Sequence, residues 1–316
     1  MGTPEFAVGT LSRLVEGGYN VVAVVTQPDK PVGRHQDKLQ ASAVKQYALA
    51  HSIPVLQPVK MKDPDFVERL ADLKADLQVV VAFRMLPEIV WAMPRFGTFN
   101  VHAALLPQYR GAAPINWAVI NGEMQTGVTT FFIDKDIDTG RIIMKRTFDI
   151  PDDADVEYVY DGLMKLGADI AVETVDMVID NDGNVPAQEQ EALIPTSEPL
   201  HPAPKIFKET CQICWDKPAK TVYDFIRGLS PYPGAWTTLH KDQKATELKI
   251  YKAAKTGKPV GDAKPGSIET TKKALYMACA DEWLEILSLQ LAGKKRMEAS
   301  AFINGNKGLA DCTVGE

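Results

Sequence analysis

Four cysteines in 316 residues are too few for a disulfide framework, and their spacing offers no obvious zinc site. Cys211 and Cys214 form one C-x-x-C, while Cys279 and Cys312 stand alone and far apart. Structural zinc would want a second close pair, so the thiols read as reduced cysteines in a reducing compartment. No apolar run is long enough to span a bilayer. The opening MGTPEFAVG has no basic segment followed by an apolar one, as a secretory signal would, and Phe6 stands where a myristoylation motif wants Ser or Thr. The expected location is therefore the cytoplasm, with no membrane partner. No G-x-G-x-x-G follows a strand pattern and no Walker loop occurs, which argues against a nicotinamide cofactor. The acidic residues Asp152, Asp153, Asp155 and Asp180–Asp182 lack metal-site spacing and flank a predicted helix, where they read as caps. No metal is expected.

What is present is ordinary for a globular chain: 45% hydrophobic and 24% charged residues. The length favours two domains and a sizeable core. The net charge of -6 conceals an asymmetry. From Lys205 onward 18 basic side chains face 13 acidic ones, which leaves 17 basic against 28 acidic before it. A basic second half on an acidic chain points to a polyanionic partner or, more simply, to a lysine-rich solvated surface.

The first half alternates strand and helix patterns. Continuous β-branched runs at 19–26 and 77–83 suit strands buried on both faces, and 97–102, 127–133 and 141–150 are further strand candidates, the last antiparallel. Helical periodicity marks 4–16, 41–50, 64–73, 114–121 and 156–179. This alternation predicts an α/β unit with a parallel sheet. One feature departs from a doubly wound domain: the loop Gly2-Thr3-Pro4 comes at once, with only Met1 before it. A central strand ahead of Gly2 is expected and not supplied. Asn181-Asp182-Gly183 stops the long helix, and prolines 195, 199, 202 and 204 mark an extended crossing segment. The expected division is 1–183, a linker at 184–205, and 206–316. In the last part a helix at 218–228 precedes five short strands in about 80 residues, which suggests a small barrel of the oligonucleotide-binding type.

Three clusters carry chemistry. Asn100 and His102 alternate on one face of a strand, near its carboxyl end, where ligands bind in open α/β sheets. An amide beside an imidazole suits a carbonyl whose oxygen gains charge under attack, although a His there also serves purely structural ends. Asp138-Thr139-Gly140 lies between two strands, and by itself is a turn sequence whose value depends on whether Asp138 approaches His102. The third is the long polar loop from Gln27 to Leu39, again at the ligand-bearing edge.

Taken together, the segments MGTPEFAV, TQPDKPVGR, VVVAFRMLPE, FNVHAALLPQYRGAAPINWAVINGE, GVTTFFID, IDTG, FIRGLSPYPGAW and LQLAGKK resemble, in order and spacing, the methionyl-tRNA formyltransferases. The likeness runs from Met1 to about Leu309. It implies a Rossmann-like formyltransferase domain followed by an OB-like β-barrel domain. It also implies formyl transfer from 10-formyltetrahydrofolate to the α-amine of methionyl-initiator tRNA; a monomer is expected, although no residue pattern fixes the oligomeric state. By motif, the family's catalytic trio falls on Asn100, His102 and Asp138. The folate-contacting segments fall on Phe83, Arg84, Met85 and Leu86 and on Ala104, Leu105, Leu106 and Pro107. The loop that engages the tRNA acceptor end falls on Pro31–Leu39, with Lys30, Arg34 and Lys38 as its basic residues. Two departures stand out: Ala104 occupies a position where the family usually has Ser, and Gln36, Asp37 and Gln40 dilute the basic loop. Two other readings share part of the pattern: an amino-sugar nucleotide formyltransferase, with the same trio, and a non-catalytic tRNA-binding protein on the same scaffold.

Overall fold

Short apolar strands separated by amphipathic helices must bury two faces, and the chain does so in two compact units. In this computed structural model residues 1–32, 38–194, 199–241, 244–306 and 308–315 are described. The elements begin α1 Glu5–Glu16, β1 Val24–Val25, β2 Lys30–Val32, β3 Lys38–Gln40, α2 Ala43–Ala50, β4 Val55–Leu56 and α3 Pro64–Asp72. They continue with β5 Gln78–Val81, α4 Glu88–Trp91, β6 Thr98–His102, α5 Pro114–Ile120, β7 Gln125–Phe132, β8 Ile142–Asp149 and α6 Val156–Asp180. The rest are α7 Ala219–Gly228, β9 Ala235–Lys241, β10 Lys244–Pro259, β11 Ile268–Thr270, β12 Leu275–Ala278, β13 Glu282–Leu291, β14 Met297–Glu298, α8 Ala299–Gly305 and β15 Thr313–Gly315. One unit comprises Met1–Gly111, Gln125–Asp149 and Tyr160–Pro202; the other comprises Ala112–Met124, Ile150–Val159 and Ala203–Glu316.

In the first unit a four-stranded sheet runs β5-β6-β7-β8. β5 and β6 are parallel, with Val80 opposite Asn100. β7 is antiparallel to β6, and β8 to β7, so the sheet is mixed where the alternating pattern predicts a parallel one. The antiparallel β8 is the one expected, since it follows β7 without a helix and a direct return reverses strand direction; the departure is β7, antiparallel to β6 although α5 lies between them. A separate parallel pair joins β1 to β4.

Met1 and Gly2 occupy the place of the expected central strand. Gly2 bridges Val81 in parallel fashion, Val81 donates its N–H to the Met1 carbonyl at 2.9 Å, and Gly2 donates to the Val25 carbonyl at 3.0 Å. β1 is correspondingly two residues long, although its β-branched run extends from Tyr19. A Cβ on Gly2 would lie 2.4 Å from that of Ala7 and 2.8 Å from the Val81 carbonyl oxygen, so only glycine fits. Helix ends follow local chemistry: Ser42 accepts the Lys45 N–H at the start of α2, and Asp63 accepts the Asp65 N–H ahead of Pro64 in α3. Val25, Leu56, Phe66, Leu70, Val80, Leu86 and Val90 share one buried cluster.

The second unit is an antiparallel sheet in the order β11-β12-β13-β10-β9-β15, with β14 beside β13. Register shifts along β10, at Ile250/Lys252 and Lys255/Pro259, bend this 16-residue strand. The sheet curls back until its ends meet, through a Ser267–Thr313 bridge and a Val314 N–H donating to the Gly266 carbonyl at 2.8 Å. This is the barrel-like sheet expected from the five strands, with two short strands added. Val222 and Ile226 of α7 pack among Leu248, Ile250, Leu284, Ile286 and Phe302. All four cysteines are free, and burial pushes the Cys279 thiol up to about 12. Among the described residues no helix is long and apolar enough to cross a membrane, and no group of three or more His, Cys, Asp or Glu gathers as a metal would require.

Candidate active site

Because β5 and β6 are parallel and in register from Gln78–Thr98 to Val81–Val101, their carboxyl ends open on one edge. The 82–87 and 103–111 segments both leave from that edge. His102 ends β6 almost fully buried, at 6% exposure. Its Nε2 lies 2.9 Å from the Tyr109 carbonyl oxygen. A carbonyl only accepts, so Nε2 carries a hydrogen there and Nδ1 is the nitrogen that faces Asp138. Nδ1 stands 3.8 Å from Oδ2 of Asp138, longer than a hydrogen bond but close enough to pair charges. The same Oδ2 accepts the Gly111 N–H at 2.9 Å. Thus the 109–111 turn touches both members of the pair: its carbonyl fixes the ring and its amide fixes the carboxylate.

Asn100 lies half-buried on the same face of β6, two residues before His102. Its Oδ1 is buried and has no hydrogen-bond partner among the described residues. A buried amide oxygen without a partner costs roughly 1–3 kcal/mol, which a bound polar ligand would recover.

The segment after His102 is already braced from beneath. Ala104, Leu106 and Pro107 are buried, and the Leu106–Pro107 bond is cis. Thr129 of β7, fully buried, donates its hydroxyl to the Ala104 carbonyl at 2.6 Å and accepts the Leu106 N–H at 3.1 Å. Lys145 of β8 donates to the Leu106 carbonyl, and burial pulls its ammonium below the ordinary lysine range. These polar backbone groups of Ala104 and Leu106 are therefore already paired, so a ligand would meet this segment mainly through Leu105 and through apolar surface. In the other expected segment, Arg84 donates to the carbonyls of Val59, at 2.9 Å, and Pro58, while Leu86 is buried in the cluster with Val25. Phe83 is half-buried and Met85 is 67% exposed. A cavity of about 610 Å³ opens beside Met85 and Leu86, with Met61, Trp91 and Lys135 also on its wall.

β2 and β3 form an antiparallel hairpin, with Val32 opposite Lys38. Lys30 is exposed on its first strand, Lys38 begins its second, and Arg34 lies outside the described residues. At its base Asp29 accepts from Lys45 at 2.6 Å and from Gln57 at 2.8 Å. These bonds, the lysine first, hold the Asp29 carboxyl below its usual range. Sequence reasoning misses Thr129, Lys145 and the Tyr109 carbonyl. Only the strand register, which sets His102 opposite Thr129 and Thr129 opposite Lys145, reveals the first two.

Comparison with known proteins adds family information to this geometry. The formyl transferase family matches residues 1–175, and the formyl transferase C-terminal domain matches residues 205–307. A methionyl-tRNA formyltransferase from Parabacteroides distasonis is 59% identical over 318 residues, covering 100% of this chain and 97% of that protein. One from Bacteroides fragilis is 56% identical over 307 residues, covering 96% and 93%. Among solved structures, an N-formyltransferase from Helicobacter canadensis in complex with folinic acid and dTDP-3-aminofucose superposes with a TM-score of 0.64 at 19% identity, covering 94% of this chain and 97% of that one.

Proposed function

As the chain belongs to the formyl transferase family, we propose that Asn100, His102 and Asp138 are its catalytic residues. We further propose that Phe83–Leu86 and Ala104–Pro107 receive the folate. The protein is an enzyme of translation initiation that transfers the formyl group of 10-formyltetrahydrofolate to the α-amine of methionyl-initiator tRNA. The observation that supports the catalytic assignment most is the convergence of His102 Nδ1 on Asp138 Oδ2, with the opposite ring nitrogen engaged by Tyr109.

10-Formyltetrahydrofolate supplies an acyl carbon and a nitrogen leaving group. The attacking amine must lose a proton, and the departing nitrogen must gain one. Asn100 donates an amide N–H to the formyl oxygen as charge builds there, a contribution of about 10²–10³ in rate. Its unpartnered Oδ1 is then available to an N–H of the incoming amine. His102 relays the proton through Nδ1, and a proton held there is paired with Asp138. Such acid–base help is worth about 10²–10⁴. Holding amine and donor together supplies much of the remainder.

The finer reading assigns catalysis to residues 1–183 and tRNA binding to 206–316, joined by 184–205, in a cytoplasmic monomer. Lys30, Arg34 and Lys38 meet the acceptor end, and the lysine-rich second part adds a salt-dependent phosphate term. The amino-sugar alternative has weaker support: the Helicobacter likeness, at 19% identity, speaks for the fold alone.

The experiment is transfer of labelled formyl from 10-formyltetrahydrofolate to charged initiator tRNA, with a dTDP-amino sugar as competing acceptor. The expected result is formylation of the tRNA alone, falling at least 10²-fold in His102→Ala. Label on the sugar alone would move the protein to the other acceptor class, and an active His102→Ala would remove the trio.

A further inference from the structure

The segment before the second unit reads as a linker, yet part of it is built into the first unit. Gln188 and Ile142 exchange two backbone hydrogen bonds of 2.8 Å, and Leu193 packs on Leu106, Phe131 and Ile142. Between these anchors the Gln190 side chain is fully buried. Its Nε2 donates to the carbonyl oxygens of Asp138, at 2.9 Å, and Gly140, at 2.8 Å. Its Oε1 accepts from Arg110, from Nε at 3.0 Å and from Nη2 at 2.7 Å. The amide cannot be flipped, because carbonyls only accept and a guanidinium only donates.

One side chain thus joins the loop that carries Asp138 to the turn that carries Tyr109, Arg110 and Gly111. That turn holds His102 Nε2 and Asp138 Oδ2. Asp138 has φ 56°, a left-handed turn conformation that aspartate adopts more readily than most residues with a Cβ, so the position of its carboxylate depends on how this turn is held. A Cβ on Gly140 would lie 1.7 Å from the Phe132 carbonyl oxygen, so the loop is pressed against β7 where Gln190 also bonds it. Without the two donated bonds, the carbonyls of Asp138 and Gly140 lose their shared partner and the loop is free to shift.

We propose that Gln190 is a positioning residue that sets the Asp138 carboxylate against His102. The inference rests on the catalytic reading of Asp138. A misplacement of about 1 Å costs on the order of 10²-fold in rate, so Gln190→Met is expected to lower kcat about 10- to 100-fold, with both KM values within about threefold.

The test is a double-mutant cycle on the full chain, with Gln190→Met, Asp138→Asn and the pair. The expected result is non-additivity: once Asp138→Asn has lowered kcat, adding Gln190→Met lowers it by less than about twofold. An equal fold loss in both backgrounds would reduce Gln190 to a general structural role and overturn the proposal, as would a kcat for Gln190→Met within twofold of the unsubstituted enzyme. If Asp138→Asn leaves kcat unchanged, the catalytic reading of Asp138 falls, and this inference falls with it. Should Gln190→Met fail to fold, Gln190→Glu enters the same cycle. It keeps volume and the Arg110 partner but turns an accepting carboxylate toward the two carbonyls, so the same loss and the same non-additivity are expected.

Discussion

Replacing Thr129 with valine keeps the shape of a fully buried side chain and removes one hydroxyl. That hydroxyl donates to the Ala104 carbonyl and accepts the Leu106 N–H. Two buried backbone groups lose their partner, at about 1–3 kcal/mol each, and the added methyl returns about 0.8 kcal/mol. With partial relaxation the expected destabilisation is about 2–4 kcal/mol. Thr129→Ser is the control: it keeps both hydrogen bonds and loses one methyl, for about 1 kcal/mol. The assay is urea unfolding combined with hydrogen exchange at the Leu106 amide. In the valine variant that amide should lose protection before the rest of the sheet, because its acceptor is gone. The brace underlies the segment proposed to meet the folate, so the valine variant should also raise the folate KM more than the serine variant does. Equal stability of the two variants, with Leu106 still protected, would show that the hydroxyl does not hold the segment and would refute the reasoning.

Two further outcomes follow from charge. The Asp29 carboxyl is held below its ordinary 3.8 chiefly by Lys45 and then by Gln57, so its stabilisation is complete above that value and is lost as pH falls through the lowered one. Asp29→Asn should therefore reduce the urea midpoint at pH 7 and leave it unchanged near pH 2; a difference that persists in acid would deny the carboxylate its role. In the second unit, Asp224 is 3% exposed and accepts from Arg227 at 2.8 Å and from Lys220, while Arg227 also donates to the Ala154 carbonyl at 2.8 Å. Asp224→Ala leaves a buried guanidinium without its carboxylate, at a cost of about 3–5 kcal/mol. Trp117, Trp215, Trp236 and Trp283 all lie in this unit, so fluorescence-monitored unfolding reports the loss.

The parts of the site that sequence makes legible are those fixed by local geometry. Asn100 and His102 are two residues apart on a strand, and strand alternation alone puts them on one face. Asp138 is distant in sequence, and only family likeness links it to His102. Thr129 and Lys145 sit in a row with His102 because β7 and β8 pair antiparallel in one particular register, a tertiary outcome that no local pattern encodes. Gln190 is harder still: it lies in a segment with no periodicity, among residues whose composition signals an extended crossing, and it is buried between a backbone bridge at Gln188 and the packing of Leu193, both long-range contacts. In the fold, helices with capping and periodic signals appear close to where they are expected, whereas two-residue strands such as β4 and the four-residue α4 are too short to leave a period.

Backbone strain separates the site from the rest of the described chain. Six non-glycine residues there have positive φ: Ser52, Lys74, Ala82, Tyr109, Asp138 and Asp182. Ser52, Lys74 and Asp182 stand within two residues of the ends of α2, α3 and α6, where a left-handed residue is a common way to stop a helix. The other three end no helix. Ala82 follows β5 and opens the Phe83–Leu86 segment, Tyr109 presents the carbonyl that engages His102, and Asp138 is the charge opposite the ring. The conformation costs about 1–2 kcal/mol for Ala82 and Tyr109 and less for an aspartate, and contacts hold two of the three. Tyr109 donates its N–H to the His201 carbonyl at 2.7 Å and stacks its ring on that of His201. Asp138 is held through its carbonyl by Gln190 and through its carboxylate by Gly111. These positions gather where the His102 imidazole faces the Asp138 carboxylate, the pair proposed to relay the proton from the amine to the leaving nitrogen.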